Sequence, residues 1–388
     1  MSSYHVVVIG GGGTGAAIIH DLRLRGIEAT LVERGELTSG TTGRHHGQLH
    51  CGARYAVKDR AIARECMEET YILKRIAAES LEANYGLFVA LTEEDEEHAP
   101  VFIQSCVESG IPTKEVPVEH ALEMEPNLNP EIRRAIMVPD GTIDAWRLPL
   151  QFFATAKHNG ARVHTFTPVT GFTYSGSNIS GVQVYDLKTR QERTIKADLV
   201  INATGAWAGQ VTKMADVEIP ITPGPGTMVA VKKRLNNMVI SRLHPVGDGD
   251  IIVPQRGLSI IGTTQYKTDD PDDIAVPEDD ITEMYRCADM LIPSFSSRKY
   301  HAAWIAARPL AGAASSVDDA RNLSRDFNVV DHGELDGRDG LLSVIGGKAT
   351  VLRAMAEQTV DAVCAKFGVT ETCRTAETPL LAHRAYFA

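Results

Sequence analysis

The most constraining stretch of the chain is its first thirty-four residues, which pattern as a strand, a glycine turn, a helix and a second strand. The apolar run YHVVVI at 4–9 meets GGGGTG at 10–15, an amphipathic segment follows, and ATLVER closes the unit at 29–34. Gly10 permits a tight turn, Gly12 lets backbone approach a pyrophosphate, and Gly15 lets the helix pack close on the strand. The helix N-terminus offers an anion site, and Glu33 ends the second strand where a ribose hydroxyl needs an acceptor. A phosphate-free structural loop is the alternative. Against it stand the β-rich run before the glycines, the helix-forming AAII after them and the acidic residue at the correct distance. Glu33 argues against the extra phosphate of NADP but suits NAD and FAD equally.

At 388 residues the chain exceeds what one core usually serves, so two intertwined or successive domains are expected. A formal net charge of −11 disfavours nucleic acid as a partner. No long apolar span or signal-like segment precedes the first strand, which predicts a cytoplasmic chain without a transmembrane segment, its membrane contact at most peripheral, at the inner face. The six cysteines, Cys51, Cys66, Cys106, Cys287, Cys364 and Cys373, form no CxxC pair, so no metal or iron–sulfur site is expected and the thiols read as reduced.

Taken in order, residues 33–55 are rich in Gly, Thr and His, which suits a loop across a ligand. Apolar residues at helical spacing predict a helix over 59–85, then a strand at 86–91 and a solvated acidic helix start at 93–97. Residues 101–139 read as short helices and loops punctuated by Pro112, Pro117, Pro126 and Pro130, 140–144 as a turn, and 146–158 as a helix. Strands are predicted at 162–167, 181–186 and 193–196, and a buried strand over 197–205 ends in a second glycine turn. Residues 220–264 are β-rich, with Pro223-Gly224-Pro225-Gly226 as a break, and suggest an antiparallel sheet built for a substrate. The acidic run 269–273 reads as a solvated loop rather than a calcium site. After a helix at 277–291, Arg308 stands in an apolar run, Arg325 precedes a strand, and residues 341–348 form a strand and glycine turn leading into a helix over 349–367. Arg308, Arg325 and Lys348, with Arg54, make an anion pocket.

The ordered segments VVVIGGGGTGAAIIHDLRLRG, LVERGELTSGTTGRHHGQLHCGARYAV, VPDGTIDAWRL, NATGAWA, SIIGTT, ARPL, RNLSRDFNVVDH and SVIGGKATVLRAMAEQTVDAVC run from Val6 to Cys364. On these the chain resembles the FAD-dependent glycerol-3-phosphate dehydrogenases among the D-amino-acid-oxidase-like flavoenzymes, most closely the flavin subunit of the anaerobic enzyme. The resemblance implies an α/β fold in which a Rossmann-like FAD-binding domain (1–80, 145–215 and 305–388) is interleaved with an antiparallel-sheet substrate domain (81–144 and 216–304). It implies a noncovalent FAD held by Gly10, Gly12, Gly13, Thr14 and Gly15, with the ribose on Glu33 beside Arg34. Thr41, Thr42, Arg44, His45, His46, Gly47 and Leu49 would flank the flavin with Gly347, Lys348, Ala349 and Thr350. Val169 would meet the adenine, near Thr204 and Gly205. Arg54, Tyr55, His244, Arg308, Arg325 and Lys348 would hold a small anionic substrate.

Oxidising a secondary alcohol requires a proton acceptor, a hydride acceptor and cations for a phosphate. His50 is the expected base, with His244 in reserve. The alternative for His50 is a hydrogen-bonding spacer that orders its loop. Arg308 is expected at the developing carbonyl and Lys348 beside the reduced flavin. The implied reaction is oxidation of sn-glycerol 3-phosphate to dihydroxyacetone phosphate. The alternatives are an FAD-dependent oxidase or dehydrogenase of a 2-hydroxy acid, amino acid or secondary amine, its carboxylate on Arg54 and Arg308, and an FAD-binding subunit without its own substrate. Departures from the family pattern fall at His45, Gln48 and Cys51, at 304–307, and at Val351 and Leu352. The family's cysteine-rich C-terminal domain is not matched, so the expected electron acceptor is a partner subunit, a quinone or oxygen.

Overall fold

Val6, Val7 and Val8 are completely shielded from solvent. A strand buried on both faces belongs at the centre of a parallel sheet covered on two sides, and that is where His5–Ile9 lies. In a computed structural model of the chain, residues 4–245, 247–317, 323 and 326–388 are described. The first sheet has six strands in the order Phe327–Asp331, Leu341–Gly346, Leu199–Asn202, His5–Ile9, Glu28–Val32 and Arg162–His164. Neighbours run parallel except Phe327–Asp331, which is antiparallel to Leu341–Gly346. From His5–Ile9 the chain turns first to one side and later to the other, so the carboxyl end of that strand is a switch point where a crevice opens.

Helices Gly13–Leu24, Arg147–His158 and Leu352–Phe367 cover one face, with Ile18, Ile19, Leu22, Phe152 and Phe153 in its core. The other face is covered by an antiparallel sheet of Val169–Ser175, Asn178–Asp186 and Gln191–Lys196, through Phe172, Val182 and Val184.

The second large sheet has eight strands in the order Tyr300–Ala311, Ile221–Val231, Leu258–Gly262, Ile251–Gln255, Val239–Arg242, Gly86–Ala90, Arg134–Val138 and Lys114–Val116. It is mixed rather than purely antiparallel, because Val239–Arg242 pairs parallel with Gly86–Ala90. Alternate residues of Gly86–Ala90 serve two cores. Leu87 and Val89 join the helix Glu278–Leu291 side, Phe88 and Ala90 the side of helices Arg60–Ile76 and Glu93–Glu108. Strand Tyr300–Ala311 runs across the domain boundary that the sequence places at 304/305.

Several local expectations give way to tertiary context. The Pro-Gly-Pro-Gly segment is no break but lies inside the eleven-residue strand Ile221–Val231. Over that segment only Tyr300–Ala311 pairs with it, so the missing proline N–H groups face the side without a strand. On that side Tyr266 N and Thr268 N donate to Pro225 O and Pro223 O. Strands Arg134–Val138, Gly141–Ile143 and Val169–Ser175 stand where loops, a turn and an unassigned stretch were expected, and the helix expected over 59–85 spans only Arg60–Ile76. The acidic run opens helix Glu93–Glu108 behind a Thr92–Asp95 capping box, which accounts for its carboxylates at the positive end of the helix. Asp95 is not solvated, however. It is buried against Arg242, at 2.9 Å.

Among the described residues no helix is long and apolar enough to cross a membrane, and no group of three or more His, Cys, Asp or Glu is arranged for a metal ion. The six cysteines are free thiols.

Helix Gly13–Leu24 buries His20 edge-on against Phe152, and neither ring nitrogen has a hydrogen-bond partner. Burial lowers its pKa to about 4. The unfolded chain therefore binds a proton below about 6.5 that the fold resists. Above that value the ring is neutral in both states and protonation costs the fold nothing; as pH falls from there toward 4 the fold loses roughly 3 kcal/mol. His20→Leu is expected to raise stability at neutral pH and to flatten this acid limb in denaturant titrations. An unchanged pH slope would refute the assignment.

Candidate active site

Residues from both large sheets line one cavity of about 1420 Å³. Pockets for a single drug-sized ligand run to about 1,000 Å³, so this one has room for a large cofactor and a small substrate.

At one end is the glycine turn. Gly10 adopts φ +110°, and a Cβ there would stand 2.6 Å from Ala203 O. Gly15 is held tighter still, since a Cβ would lie 2.0 Å from Gly10 O. It packs helix on strand and does not itself line the cavity, whereas Gly10, Gly12, Gly13 and Thr14 do. Helix Gly13–Leu24 starts at Gly12 with no side-chain cap and no acidic residue in its first turn, leaving its N-terminus suited to an anion. Thr42 Oγ1 accepts from Gly13 N at 3.0 Å and closes the turn from above.

Glu33 accepts from Gly11 N and Gly35 N, each at 2.7 Å. The carboxylate thus ties the glycine turn to the second strand, and its remaining lone pairs are available to a ribose. Arg34 turns to the rim, where it pairs with Asp272 at 2.6 Å and lies 4.6 Å over the Trp207 ring. Asp272 belongs to the acidic run read as a solvated loop, so one of its carboxylates is committed to this rim. Val169 lines the cavity where its strand slips register, and Thr204 and Gly205 line it from the second glycine turn, with Thr204 Oγ1 donating to Asn202 Oδ1 at 2.7 Å.

At the other end, two bonds tie loop 41–50 to strand Tyr300–Ala311. Thr41 Oγ1 donates to Ala307 O and Trp304 Nε1 to Arg44 O, both at 2.6 Å. His45 Nδ1 accepts from Gly47 N and His46 Nδ1 from Gln48 N, which fixes both rings as neutral acceptors. Burial lowers His45 to about 4. Burial, His45 and the Arg54 and Arg308 charges lower His46 to about 3. His50 is clamped through its backbone, N to Thr350 Oγ1 and O from Thr70 Oγ1, each at 3.0 Å. Its Nδ1 is buried with no hydrogen-bond partner. Burial, then His46, Arg54 and Lys348, hold the ring well below its ordinary pKa. His46, His50, Lys348 and Ala349 line the cavity. Leu49 does not, being fully buried in the core, and Gly47 packs against Gln255.

Arg54, expected to hold a substrate anion, is engaged within the protein. Its two terminal nitrogens reach the two oxygens of Asp250 at 2.8 and 2.9 Å, and it donates to Gly247 O at 3.2 Å. Burial opposes the Asp250 charge, but Arg54 and His244 outweigh it and hold the carboxyl at about 2. His244 Nε2 is 3.4 Å from Asp250 Oδ2, so the reserve base faces the same carboxylate. Sequence reasoning missed Asp250. Its only local signal is the Gly247-Asp248-Gly249-Asp250 turn just after His244.

Arg308 lies flat on backbone. It donates to Gly224 O, Thr263 Oγ1, Pro225 O and Thr264 O at 2.7–3.3 Å. Gly226 makes room, since a Cβ there would stand 2.5 Å from an Arg308 nitrogen. Lys348 follows Gly346 and Gly347, both at φ +84°, and its ammonium sits 5.4 Å over the Tyr55 ring. Arg325 lies outside the described residues. One departure from the family pattern has a structural account: Gln48 Nε2 donates to buried Asp140 at 2.8 Å, beside the Cys51 backbone N, which donates to the same carboxylate at 2.7 Å.

The profile of the family described as FAD dependent oxidoreductase (DAO) matches residues 5–352, a span that takes in both ends of this cavity. The chain is 41% identical to the A1 chain of the anaerobic glycerol-3-phosphate dehydrogenase of Haloferax volcanii, over 97% of this chain and 66% of that one. It is 40% identical to the corresponding chain of the Escherichia coli anaerobic enzyme, over 97% and 70% of the two chains. It therefore spans about two thirds of the length of these relatives. Among solved structures, glycerol-3-phosphate dehydrogenase from Bacillus halodurans complexed with FAD superposes with a TM-score of 0.74 at 25% identity, over 98% of this chain and 69% of that one.

Proposed function

The chain belongs to the DAO family of FAD-dependent oxidoreductases, and on that premise we propose that it oxidises sn-glycerol 3-phosphate to dihydroxyacetone phosphate. The observation that carries the reading is one cavity holding, at one end, a helix N-terminus without an acidic residue in its first turn, beneath a glycine turn, and, at the other, Arg308 and Lys348 beside neutral, buried imidazoles. The residues fit FAD: Gly10 and Gly15 admit no side chain, and Gly12, Gly13 and Glu33 would offer backbone and carboxylate to a pyrophosphate and a ribose.

When bound, FAD supplies the hydride acceptor. The protein supplies orientation, charge and a place for the proton. Arg308, held by backbone carbonyls, presents a fixed cation to the oxygen that becomes a carbonyl. His50, whose side chain lines the cavity, takes the hydroxyl proton. An imidazole kept neutral by burial and cations is able to accept it, and an arriving phosphate stabilises the charge it then carries. The two cations Lys348 and Arg308 in the cavity suit an anionic substrate and disfavour an amine, which is itself a cation at neutral pH.

Anaerobic bleaching of the bound flavin tests the substrate. Glycerol 3-phosphate should bleach it. Bleaching only by 2-hydroxy acids, amino acids or amines would replace the substrate, and bleaching by none would leave an FAD-binding subunit. Relatives that are named as subunits favour a separate partner chain as electron acceptor. Slow reoxidation by air agrees with that reading, and rapid reoxidation identifies an oxidase.

Glu33→Ala removes the carboxylate that receives Gly11 N and Gly35 N. Hydrogen bonds to a charged group contribute about 1.5–3 kcal/mol each, so FAD affinity should fall roughly 10- to 100-fold by equilibrium dialysis. Unchanged retention would show that the ribose is held elsewhere.

A further inference from the structure

Arg308 is only as well placed as the carbonyls beneath it, and those carbonyls converge on one carboxylate. Asp280 stands in the first turn of helix Glu278–Leu291 and is 5% exposed. It receives three hydroxyl donors: Thr227 Oγ1 at 2.5 Å, Thr264 Oγ1 at 3.1 Å, and the Tyr266 phenol. Thr264 Oγ1 also accepts from Thr227 N at 3.0 Å, and Tyr266 N donates to Pro225 O at 2.8 Å. Thr264 O, Pro225 O and the hydroxyl of adjacent Thr263 are three of the four groups that hold the Arg308 guanidinium. Burial and the Asp280 hydrogen bond push the Tyr266 phenol up to about 12, so it remains a donor.

The geometry points to Asp280 as the positioning residue of Arg308: it binds the segment Thr263–Tyr266 to strand Ile221–Val231 and so fixes the acceptors that aim the guanidinium into the cavity. Asp280 does not line that cavity and acts only through Arg308. The charge is needed because three donors meet on two oxygens. An amide offers one acceptor oxygen and turns two donors toward Tyr266. The inference rests on the proposed role of Arg308 at the reacting carbon.

The test is a double-mutant cycle on the holoenzyme. Wild type, Asp280→Asn, Arg308→Ala and the double variant are compared by FAD content, thermal midpoint and the limiting rate of anaerobic bleaching by glycerol 3-phosphate. Misaiming a catalytic group by an ångström costs about 100-fold, and Asp280→Asn should lose that order of rate with FAD content unchanged. In the Arg308→Ala background the same substitution should change the rate by no more than roughly twofold, the usual error of additivity. Equal losses in both backgrounds, or an unchanged rate in Asp280→Asn, would overturn the proposal. If Asp280→Asn does not fold, Thr264→Val carries the cycle, with Thr264→Ser as the rescue. If glycerol 3-phosphate fails to bleach even the wild type, the substrate reading has failed and the cycle is read from the midpoint potential of bound FAD. Misaiming Arg308 makes the shift in potential caused by Asp280→Asn differ between the two backgrounds, whereas an equal shift in both, the effect of the lost charge alone, would overturn the proposal.

Discussion

Arg308→Ala is expected to keep its FAD and to lose roughly 100- to 1000-fold in the rate at which glycerol 3-phosphate bleaches it, the effect of removing one preorganised donor at a developing oxyanion. The expectation rests on how the side chain is held. Its guanidinium is fixed by Gly224 O, Pro225 O, Thr263 Oγ1 and Thr264 O, so its orientation is set before substrate arrives. None of these partners belongs to the glycine turn or to Glu33, which is why cofactor retention and rate should separate. Stopped-flow bleaching and the ratio of flavin to protein absorbance are the two measurements. If flavin is lost in proportion to rate, Arg308 is part of the fold rather than of the chemistry.

Asp250→Asn should cost about 3–5 kcal/mol of folding stability in chemical denaturation, because it strands the buried Arg54 charge that two nitrogens now share with both carboxylate oxygens. Replacing the pair together, Arg54→Met with Asp250→Leu, should recover most of that stability, since an apolar pair of similar volume carries no desolvation cost. The comparison also weighs the two roles of Arg54. A stable but slow double variant places Arg54 on the substrate as well as on Asp250. A double variant that bleaches at the normal rate confines it to structure. A loss below about 1 kcal/mol in Asp250→Asn, the size of an exposed pair, would contradict the buried ion pair.

The sequence made local features legible and distant pairings illegible. The valine-rich first strand, the turn at Gly10 and Gly15, and the Leu341–Gly346 strand leading to Lys348 all carry their signal within a few residues, as apolar runs broken by glycine. The buried histidines were also recognisable as a cluster, although their neutrality follows from burial that no local pattern reports. Asp250 and Asp280 escaped notice for one reason. Asp250 matters through Arg54, 196 positions away, and Asp280 through Thr227, 53 positions away. Nothing near Asp280 distinguishes it from Glu278 and Asp279, which also begin the helix. The Pro-Gly-Pro-Gly strand misleads in the opposite direction: its local signal is strong, but only Tyr300–Ala311 pairs with that segment as a strand, on the side that proline leaves intact, and the other side asks the prolines only for their carbonyls.

The order of the six-stranded sheet bears on how the molecule is made. Of the six strands His5–Ile9 is made before the others, yet its neighbour Leu199–Asn202 comes nearly two hundred residues later, and the strand beyond that, Leu341–Gly346, later still. Strand Glu28–Val32 and helix Gly13–Leu24 follow at once on one side, but at about 5–20 residues per second the other edge of the first strand waits on the order of ten seconds or more for its partner. Pairing over such separations is slow even in a complete chain. A nascent chain of this topology spends much of its synthesis with one edge of this buried apolar strand unpaired, so its yield in a cell should depend on chaperone supply and growth temperature as well as on the stability of the finished fold.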